Sequence, residues 1–549
     1  MSEVTAAVLA LLFVAALLAG VHLPLGAYLA RTFTDARHLR VEAGLYRLCG
    51  VDPDSEQNWR SYAGSLMAFS VLSVLGLWGL IVAQTHLPLL AGREGMNVDT
   101  ALNTAVSFVT NTNWQSYGGE AGAGHLVQML GLTVQNFVSA AVGLAVAVAL
   151  TRGLARQGTD ALGNFWVDLV RGTIRVLLPI ALLGATALLF GGVIQNLSGP
   201  QAITTLSGGG QVIQGGPVAS QEVIKLLGTN GGGFFNANSA HPFENPNAVT
   251  NVIEILLVLV IPFSLPRMYG LLVGDRRQGF AILALMSTLY VGAWAVTMAS
   301  ENALASSMQG ALEGKEMRFG VAGTVLFATS TTGTSTGAVN AMHDSFSPLG
   351  GGMVMTNMLL GEISPGGVGT GLYSALIIAI ITVFVAGLMV GRTPELLGKT
   401  IGQREITCAA GFILVMPTLV LLGTGTSIAL ESARASLANS GPHGLTEMMY
   451  AYTSASNNNG SAFAGLSADT PWFNLTLAAC MFLGRFLPIL FALALAGSLA
   501  AQPKRPVTDG TMPTHTPLFV ALLVGIALIV AGLTFFPALA LGPIAEATL

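Results

Sequence analysis

Ten stretches of about 20 or more predominantly apolar residues recur along this 549-residue chain, and each is long enough to cross a hydrocarbon core of about 30 Å. Charged residues make up only 9% of the chain, too few to cover the surface of a soluble protein. The sequence therefore predicts an all-α polytopic membrane protein of about ten transmembrane helices. The predicted spans are residues 4–30, 62–90, 125–150, 170–195, 248–273, 278–300, 350–391, 406–430, 471–500 and 516–545.

Positive charge is distributed unevenly between the loops. Seventeen of the 23 Lys and Arg residues lie in the loops that follow the odd-numbered spans, whereas five lie in the opposite loops and Arg485 lies within a span. Short loops rich in Lys and Arg stay in the cytoplasm. The pattern therefore predicts an even number of crossings with both termini external.

Four of the external loops share one pattern. Each opens with an apolar run of about 12 residues, which is too short to cross the membrane but suits a re-entrant half-helix. The runs are DTALNTAVSFVT, VASQEVIKLLGT, FGVAGTVLFATSTT and LTEMMYAYTSAS. Polar segments follow them: TNTNWQSYGG, TNGGGFFNAN, TGTSTGAVNA and SNNNGSAFAG.

Aligning these polar segments on Asn113, Gly231, Gly337 and Gly460 reveals an internal repeat. We predict four span–pore-helix–span repeats around one pseudo-fourfold ion path, with one extra helix at each end. The division is 1–60 for the N-terminal helix and loop, 61–151, 152–273, 274–400 and 401–503 for the repeats, and 504–549 for the C-terminal helix.

The polar segments carry the chemistry of a cation site. Irregular backbone at membrane depth is tolerated only where protein shields it or where it lines a wet cavity, so four such loops are expected to converge on one axis. The aligned segments contain no Asp or Glu, and the neutral oxygens of backbone, Ser, Thr and Asn suit a large monovalent cation better than a divalent one. The alternative is that small residues here serve close helix packing, but the fourfold recurrence favours an ion site.

Longer motifs add a resemblance to a known family. SFVTNTNWQSYGGE, LTVQNF, GTNGGGFFNANSAHPFENP, GAVNAMHDSFSPLGG, GRTPELLGK and SNNNGSAFAGL together resemble the channel-like A subunit of the Kdp potassium-transporting ATPase, KdpA, of the superfamily of potassium transporters. The similarity runs from the first span to the last.

The resemblance implies a K⁺ selectivity filter at the aligned triplets, with departures from symmetry in the first repeat because Asn113 stands in the glycine position. Gln115 and Gly232 adjoin the filter; Gln115 either tunes ion entry or has no ion contact. The implied filter residues are Asn111, Thr112, Asn113, Thr229, Asn230, Gly231, Ser335, Thr336, Gly337, Asn458, Asn459 and Gly460.

The seventh span is interrupted by GEISPGGVGTG, a break that is typical of a gate or a cavity-lining segment. The resemblance implies an intramembrane loop that closes the cytoplasmic half of the pore. The predicted gate residues are Ser364, Pro365, Gly366, Gly367 and Gly369.

Two arginines are candidates for bounding the pore. Arg485 lies inside a span, either as a fixed cation below the filter or as a snorkelling or carbonyl-paired structural residue. Arg392 stands at the cytoplasmic end of the interrupted span and is a similar candidate. Four residues near the loop exits are predicted to be solvated or to brace loops rather than to bind ions: Glu244, His343, Asp344 and Glu362.

Uphill transport needs an energy source that this sequence does not contain. It has neither a G-x-x-x-x-G-K-[ST] phosphate loop nor an Asp-Lys-Thr-Gly-Thr phosphorylation motif, so we predict a subunit that is not an enzyme by itself. The resemblance implies assembly with a P-type ATPase subunit (KdpB), a single-span subunit (KdpC) and a small subunit (KdpF), in contact with membrane lipids of the bacterial cytoplasmic membrane and without nucleic acid.

The sequence is compatible with three functions to different degrees. The first is the K⁺-binding subunit of an ATP-driven importer, the second a stand-alone potassium channel or cation symporter of the same superfamily, and the third an intramembrane enzyme. The third is disfavoured because the sequence has no H-E-x-x-H or G-x-G-D motif.

Overall fold

The computed structural model describes residues 3–307, 312–389, 391–506 and 511–549. Within these ranges ten helices are long and apolar enough to cross a membrane, which confirms the predicted number. One predicted span, 350–391, includes a residue outside the described ranges, Val390. The ten are Glu3–Thr34, Trp59–Val82, Val127–Ala155, Phe165–Phe190, Ala248–Leu272, Arg276–Ala305, Thr370–Met389, Gln403–Ala429, Pro471–Ala501 and Pro517–Ile544.

The helices are numbered in chain order, and three spans contain a π-helical turn, at Val127–Leu132, Gly172–Leu177 and Ala540–Ile544. The helices are α1 Glu3–Thr34, α2 Arg40–Leu48, α3 Trp59–Val82, α4 Val98–Val109, α5 Gly119–Gly122, α6 Thr133–Ala155, α7 Phe165–Arg171, α8 Leu178–Phe190, α9 Val218–Leu227, α10 Ala248–Leu272, α11 Arg276–Ser307, α12 Gly320–Gly333, α13 Pro348–Leu359, α14 Thr370–Met389, α15 Gln403–Ala429, α16 Glu431–Arg434, α17 Gly441–Ser456, α18 Pro471–Ala501 and α19 Pro517–Leu539.

Polar caps explain why some spans begin earlier than hydropathy alone predicts. The side chain of Asn58 accepts hydrogen bonds from the first amides of α3, and Asn164 does the same for α7. The second span also ends earlier than predicted, because the chain turns after Val82, with Leu89 and Ala91 at positive φ. Capping side chains and turns therefore set these boundaries.

In the described part of the chain, three two-stranded antiparallel sheets lie in the loops. Strand β1 (Gln57–Asn58) pairs with β2 (Ala161–Gly163), β3 (Gln201–Thr204) pairs with β4 (Gly210–Ile213), and β5 (Glu395–Leu396) pairs with β6 (Lys399–Thr400). The first sheet joins the loop after α2 to the loop after α6, which places these two Arg-rich connections at the same end of the bundle.

The other Arg- and Lys-rich loops lie at that end too. Lys399 donates to the carbonyl oxygens of Arg156 and Gln502, and Gln278 hydrogen-bonds with Thr514. At the opposite end, His443 before the fourth polar loop contacts Glu546 near the C-terminus. The two loop sets that charge distinguishes therefore occupy opposite ends of the molecule.

The core of the bundle is formed by α6, α10, α14 and α18, with the four half-helices packed between them. The span containing α6 is 83% buried, whereas the spans of α1 and α15 are each 11% buried and lie at the perimeter. The structure thus surrounds its irregular loops with protein, as backbone at membrane depth requires.

Candidate functional site

Each polar segment begins where a half-helix ends. The four predicted half-helices are present as α4, α9, α12 and α17, with α17 starting four residues before its predicted run. In every case the amide of the second triplet residue donates to the carbonyl five residues earlier. These bonds are Thr112 to Ser107 (3.0 Å), Asn230 to Lys225 (2.7 Å), Thr336 to Thr331 (2.8 Å) and Asn459 to Ser454 (2.8 Å).

The first residue of each triplet adopts the left-handed conformation, although none of the four is glycine. Their φ angles are 66° at Asn111, 49° at Thr229, 53° at Ser335 and 53° at Asn458. Glycine, and less often asparagine, occupies this position of a helix C-cap, so Thr229 and Ser335 store about 1 kcal/mol of strain or more each. The same cap with the same uncommon φ recurs at all four places, which supports the sequence alignment of the triplets.

The four triplets meet in a closed ring. A Cβ added at Gly231 would lie 2.7 Å from the Cα of Gly337 and 2.8 Å from the carbonyl oxygen of Thr112. One added at Gly337 would lie 2.6 Å from the carbonyl oxygen of Asn459, and one at Gly460 would meet that of Thr112. These glycines permit backbone approaches that any side chain would prevent.

Hydrogen bonds join neighbouring repeats around the ring. Asn111 donates to the carbonyl oxygen of Thr229 (2.9 Å) and Ser335 to that of Asn457 (2.7 Å). Asn458 donates to the Thr112 hydroxyl (2.8 Å), which closes the ring from the fourth repeat to the first.

The ring is polar, uncharged and shielded from solvent. The capping bonds turn the amide hydrogens of the second triplet residues back into the half-helices. The C-terminal ends of the half-helices add partial negative charge. Nine polar triplet side chains are each at most 5% exposed: Asn111, Thr112, Asn113, Thr229, Asn230, Ser335, Thr336, Asn458 and Asn459.

Two residues of α6 support the ring and were missed by the sequence reasoning. Ser139 donates to the side-chain oxygen of Asn111 (2.8 Å). The same hydroxyl lies 3.2 Å from the side-chain oxygen of Asn230. Asn136 accepts from Asn113 (2.6 Å) and, through its carbonyl, from Asn230 (2.8 Å). A signal was present in LTVQNFVSA, where polar residues interrupt an apolar span.

Gln115 contacts the second polar segment. Its side chain accepts from the amide of Gly233 (3.0 Å) and donates to the carbonyl of the same residue (3.3 Å). A Cβ at Gly232 would lie 3.2 Å from the Gln115 side-chain oxygen. Gln115 and Gly232 therefore lie beside the ring and link its first two repeats.

The interruption of the seventh span lies directly against the ring. Helix α13 ends at Leu359 and α14 begins at Thr370. Between them, the amide of Val368 donates to the Thr229 hydroxyl (2.8 Å) and that of Gly366 to the carbonyl of Gly333 (2.8 Å). The carbonyl oxygen of Ser364 touches Gly333, and Gly369 packs against the carbonyl of Gly143.

The remaining predicted gate residues complete this loop. Gly367 packs beneath the second triplet, where an added Cβ would lie 3.1 Å from the Thr229 hydroxyl oxygen. The carbonyl oxygen of Pro365 contacts Gly371 at the start of α14. The predicted loop residues are thus assembled in one place.

Arg485 lies in a cavity of about 80 Å³ next to the fourth triplet. It is 4% exposed near the middle of α18 and donates to the carbonyl oxygen of Ser139 (3.4 Å). Because Arg485 lies in the middle of α18, its side chain does not snorkel to a membrane surface. Its guanidinium pairs with a backbone carbonyl instead. Glu362 and Asn458 line the same cavity.

Arg392 is not brought to this site. It is exposed, just beyond α14, and the length of that helix separates it by about 30 Å from the loop at Thr370. Arg392 was grouped with Arg485 because it stands at the end of the interrupted span. The continuous helix α14 separates Arg392 from the site.

The residues near the loop exits mostly brace the structure. Glu244 accepts from the amide of Phe235, and His343 hydrogen-bonds with Tyr450. Asp344 lies 2.7 Å from His443. Among the described residues, one cluster has side chains of the types that bind metal ions: Asp344, His443 and Glu447. Both ring nitrogens of His443, however, already contact carboxylates.

Comparison with known proteins gives one consistent family. A family model described as "KdpA: Potassium-transporting ATPase A subunit" matches residues 11–548. A protein of Kineococcus radiotolerans named potassium-transporting ATPase potassium-binding subunit is 60% identical over 535 residues, covering 97% of this chain and 96% of that protein. A protein of Mycobacterium avium with the same name is 58% identical over 554 residues, covering 100% of both.

A solved structure shares the fold at low sequence similarity. The potassium transporter TrkH of Vibrio parahaemolyticus superposes with a TM-score of 0.53 at 12% identity, covering 86% of this chain and 97% of that one. This likeness confirms the predicted fold class.

Proposed function

The chain belongs to the KdpA family, the potassium-binding subunits of potassium-transporting ATPases, and we propose that it binds external K⁺ in the ring of four triplets. K⁺ is the substrate here rather than a resident cofactor. Backbone and side-chain oxygens of the triplets replace the water that the ion loses on entry. Gln115 and Gly232 stand beside the entrance.

One observation carries this proposal: four different sequences adopt the same left-handed cap and close into one uncharged ring. Strain of the kind at Thr229 and Ser335 persists only where the surrounding structure holds it, and it clusters at ligand sites. A ring built only for packing has no need for nine buried polar side chains at its centre.

The loop between α13 and α14 stops the ion from falling through to the cytoplasm. Its hydrogen bonds to Thr229 and Gly333 place it against the ring. The fixed charge of Arg485, in the cavity beside the fourth triplet, disfavours a second cation there. The ion then leaves sideways, towards the subunit that hydrolyses ATP.

The ATPase activity resides in a partner. The names of the relatives describe a subunit of an ATPase, and this sequence carries no phosphate loop or phosphorylation motif. The partners we propose are the P-type ATPase subunit KdpB, with KdpC and KdpF, in the bacterial cytoplasmic membrane. Both termini are external in this proposal, at the end where K⁺ enters.

The test is ion-dependent ATPase activity of the purified complex carrying Gly231→Asp. A carboxylate at this position has no room beside Gly337 and adds charge to an uncharged ring. We expect K⁺ preference over Na⁺ and Rb⁺ to fall by about tenfold or more, equivalent to about 1.4 kcal/mol. The matched control is Gly210→Asp, in the exposed β3–β4 hairpin, where an added Cβ meets no atom. Unchanged ion preference in Gly231→Asp would overturn the site.

A further inference from the structure

A buried charged cluster lies behind the second triplet. Its centre is Lys225, on the last turn of α9, and its side chain is fully buried. Two carboxylates contact it, Glu222 at 2.7 Å and Glu244 at 3.2 Å. A buried ammonium group needs partners of this kind, because removing an unpaired charge from water is costly.

The third contact of Lys225 leads to the ring. Its ammonium donates to the side-chain oxygen of Asn238 (2.9 Å). That oxygen also accepts from the amide of Ser239 (3.0 Å) and from the amide of Val339 (3.3 Å), which follows the third triplet. Asn238 itself is 6% exposed and has a φ of 56°.

These donors fix which way the Asn238 amide points. An ammonium group can only donate, so the oxygen of the amide must face Lys225 and the nitrogen must face away. The nitrogen donates to the carbonyl oxygen of Gly232 at 2.5 Å. Lys225, together with the amides of Ser239 and Val339, therefore orients the side chain that holds the backbone next to Gly231 and ties it to the third repeat.

We propose that Lys225 is a positioning residue for ion selectivity: by orienting Asn238, it holds the Gly232 carbonyl and couples the second and third triplets. This inference rests on the proposed filter. The positioning role of Lys225 differs from a purely structural role because the chain of hydrogen bonds ends on the backbone carbonyl of Gly232, next to the ring.

The third repeat supplies a matched control. Lys315 is also buried, pairs with Glu301 at 3.0 Å, and donates to the carbonyl oxygen of Ser345 at 2.9 Å. Glu301 and Ser345 both lie outside the triplets. Lys225→Met and Lys315→Met therefore each remove one buried ammonium that is paired with carboxylate, but only the first removes the support of Asn238.

The experiment measures ATPase activity of the purified complex against K⁺ and Rb⁺ concentration. We expect Lys225→Met to raise the KM for K⁺ about tenfold, the equivalent of one lost hydrogen bond to charge, with kcat within about twofold of wild type. Its preference for K⁺ over Rb⁺ should fall, whereas Lys315→Met should keep the wild-type preference. A Lys225→Met complex with wild-type KM and preference, or an equal change in Lys315→Met, would overturn the proposal.

A second variant keeps the proposal testable where Lys225→Met does not assemble. Asn238→Asp preserves the acceptor for Lys225 but removes the donor to Gly232, so it should reproduce the loss of K⁺ preference. Wild-type preference in Asn238→Asp would overturn the proposal. Gly231→Asp, measured in parallel, separates the two failures: if it changes ion preference while Asn238→Asp does not, the filter stands and the positioning role falls.

Discussion

The centre and the perimeter of this molecule invert the arrangement of a soluble protein. At the centre, polar triplets are almost fully buried, whereas Leu12 and Phe13 on α1 are 58% and 56% exposed. Lipid tails solvate apolar side chains, so the perimeter needs no protein cover, while irregular polar backbone needs complete cover. Sequence changes should therefore act strongly at the centre and weakly at the perimeter.

The largest effect is expected where the ring is tightest. In Gly460→Ala the new methyl group meets the carbonyl oxygen of Thr112, a backbone atom that cannot swing aside. We expect the KM for K⁺ in the ATPase assay to rise about 100-fold, since several kcal/mol of ion coordination depend on this approach.

Gly274→Ala separates crowding from backbone conformation. Gly274, like Gly460 (φ 96°), has a positive φ (81°), but a Cβ added at Gly274 meets no atom. We expect only about 1 kcal/mol of strain and an unchanged KM. Equal effects in the two variants would show that conformation, rather than closure of the ring, explains the first result.

The loop below the ring is expected to have the next largest effect. Deleting residues 364–369 removes the contacts with Thr229 and Gly333. ATP-independent K⁺ leak into vesicles should rise about tenfold or more, because a barrier of about 1.4 kcal/mol or more is lost. Arg392→Ala, at the exposed far end of the same helix, should leave the leak unchanged. Unchanged leak in the deletion would contradict a role in closing the pore.

A smaller, pH-dependent effect is expected at His443, which lies outside the ten spans, at the start of α17. Its hydrogen bond to Asp344, against the effect of burial and with a further bond to Glu546, raises the pKa of His443 to about 9. The folded state thus binds the proton more tightly than the unfolded state does. The resulting stability is fully present below about pH 6.5 and is lost as pH rises through about 9.

His443→Gln tests this. We expect the variant to unfold at a lower temperature than wild type at pH 6, with a free energy of unfolding lower by at most about 3 kcal/mol. The difference in stability between the two proteins should shrink by pH 10. Thermal unfolding of the purified protein across this range measures it. A difference that is independent of pH would show that charge on His443 contributes nothing.

The smallest effect belongs to the perimeter. Leu12→Ala keeps an apolar side chain facing outward from α1, so stability should change by no more than about 0.5 kcal/mol and ion preference should not change. A loss of about 2 kcal/mol or more in thermal unfolding would mean that another protein surface covers this face.

Hydropathy and repeated motifs were sufficient to predict the ten spans, the half-helices and the broken seventh span, because each follows from segment length and residue type. The left-handed caps at Thr229 and Ser335 could not be predicted, since tertiary contacts rather than local preference impose positive φ on Thr and Ser. Arg392 was grouped with Arg485 because it ends the interrupted span, and the sequence alone did not show that α14 is continuous from Thr370 to Met389.

The sequence also could not show which polar side chains stand behind the ring. Asn136, Ser139 and Asn238 reach the triplets from other elements, and their hydrogen bonds depend on packing between distant segments. Lys225 looked like an ordinary external-loop cation, although it is fully buried.

The most direct test is a density map of the purified complex in Rb⁺, whose strong scattering distinguishes it from water. The account predicts a peak on the axis enclosed by Thr112, Gly231, Gly337 and Gly460, at about 2.7–3.1 Å from several backbone oxygens. An axis without ion density, with Rb⁺ bound elsewhere in the membrane region, would contradict it.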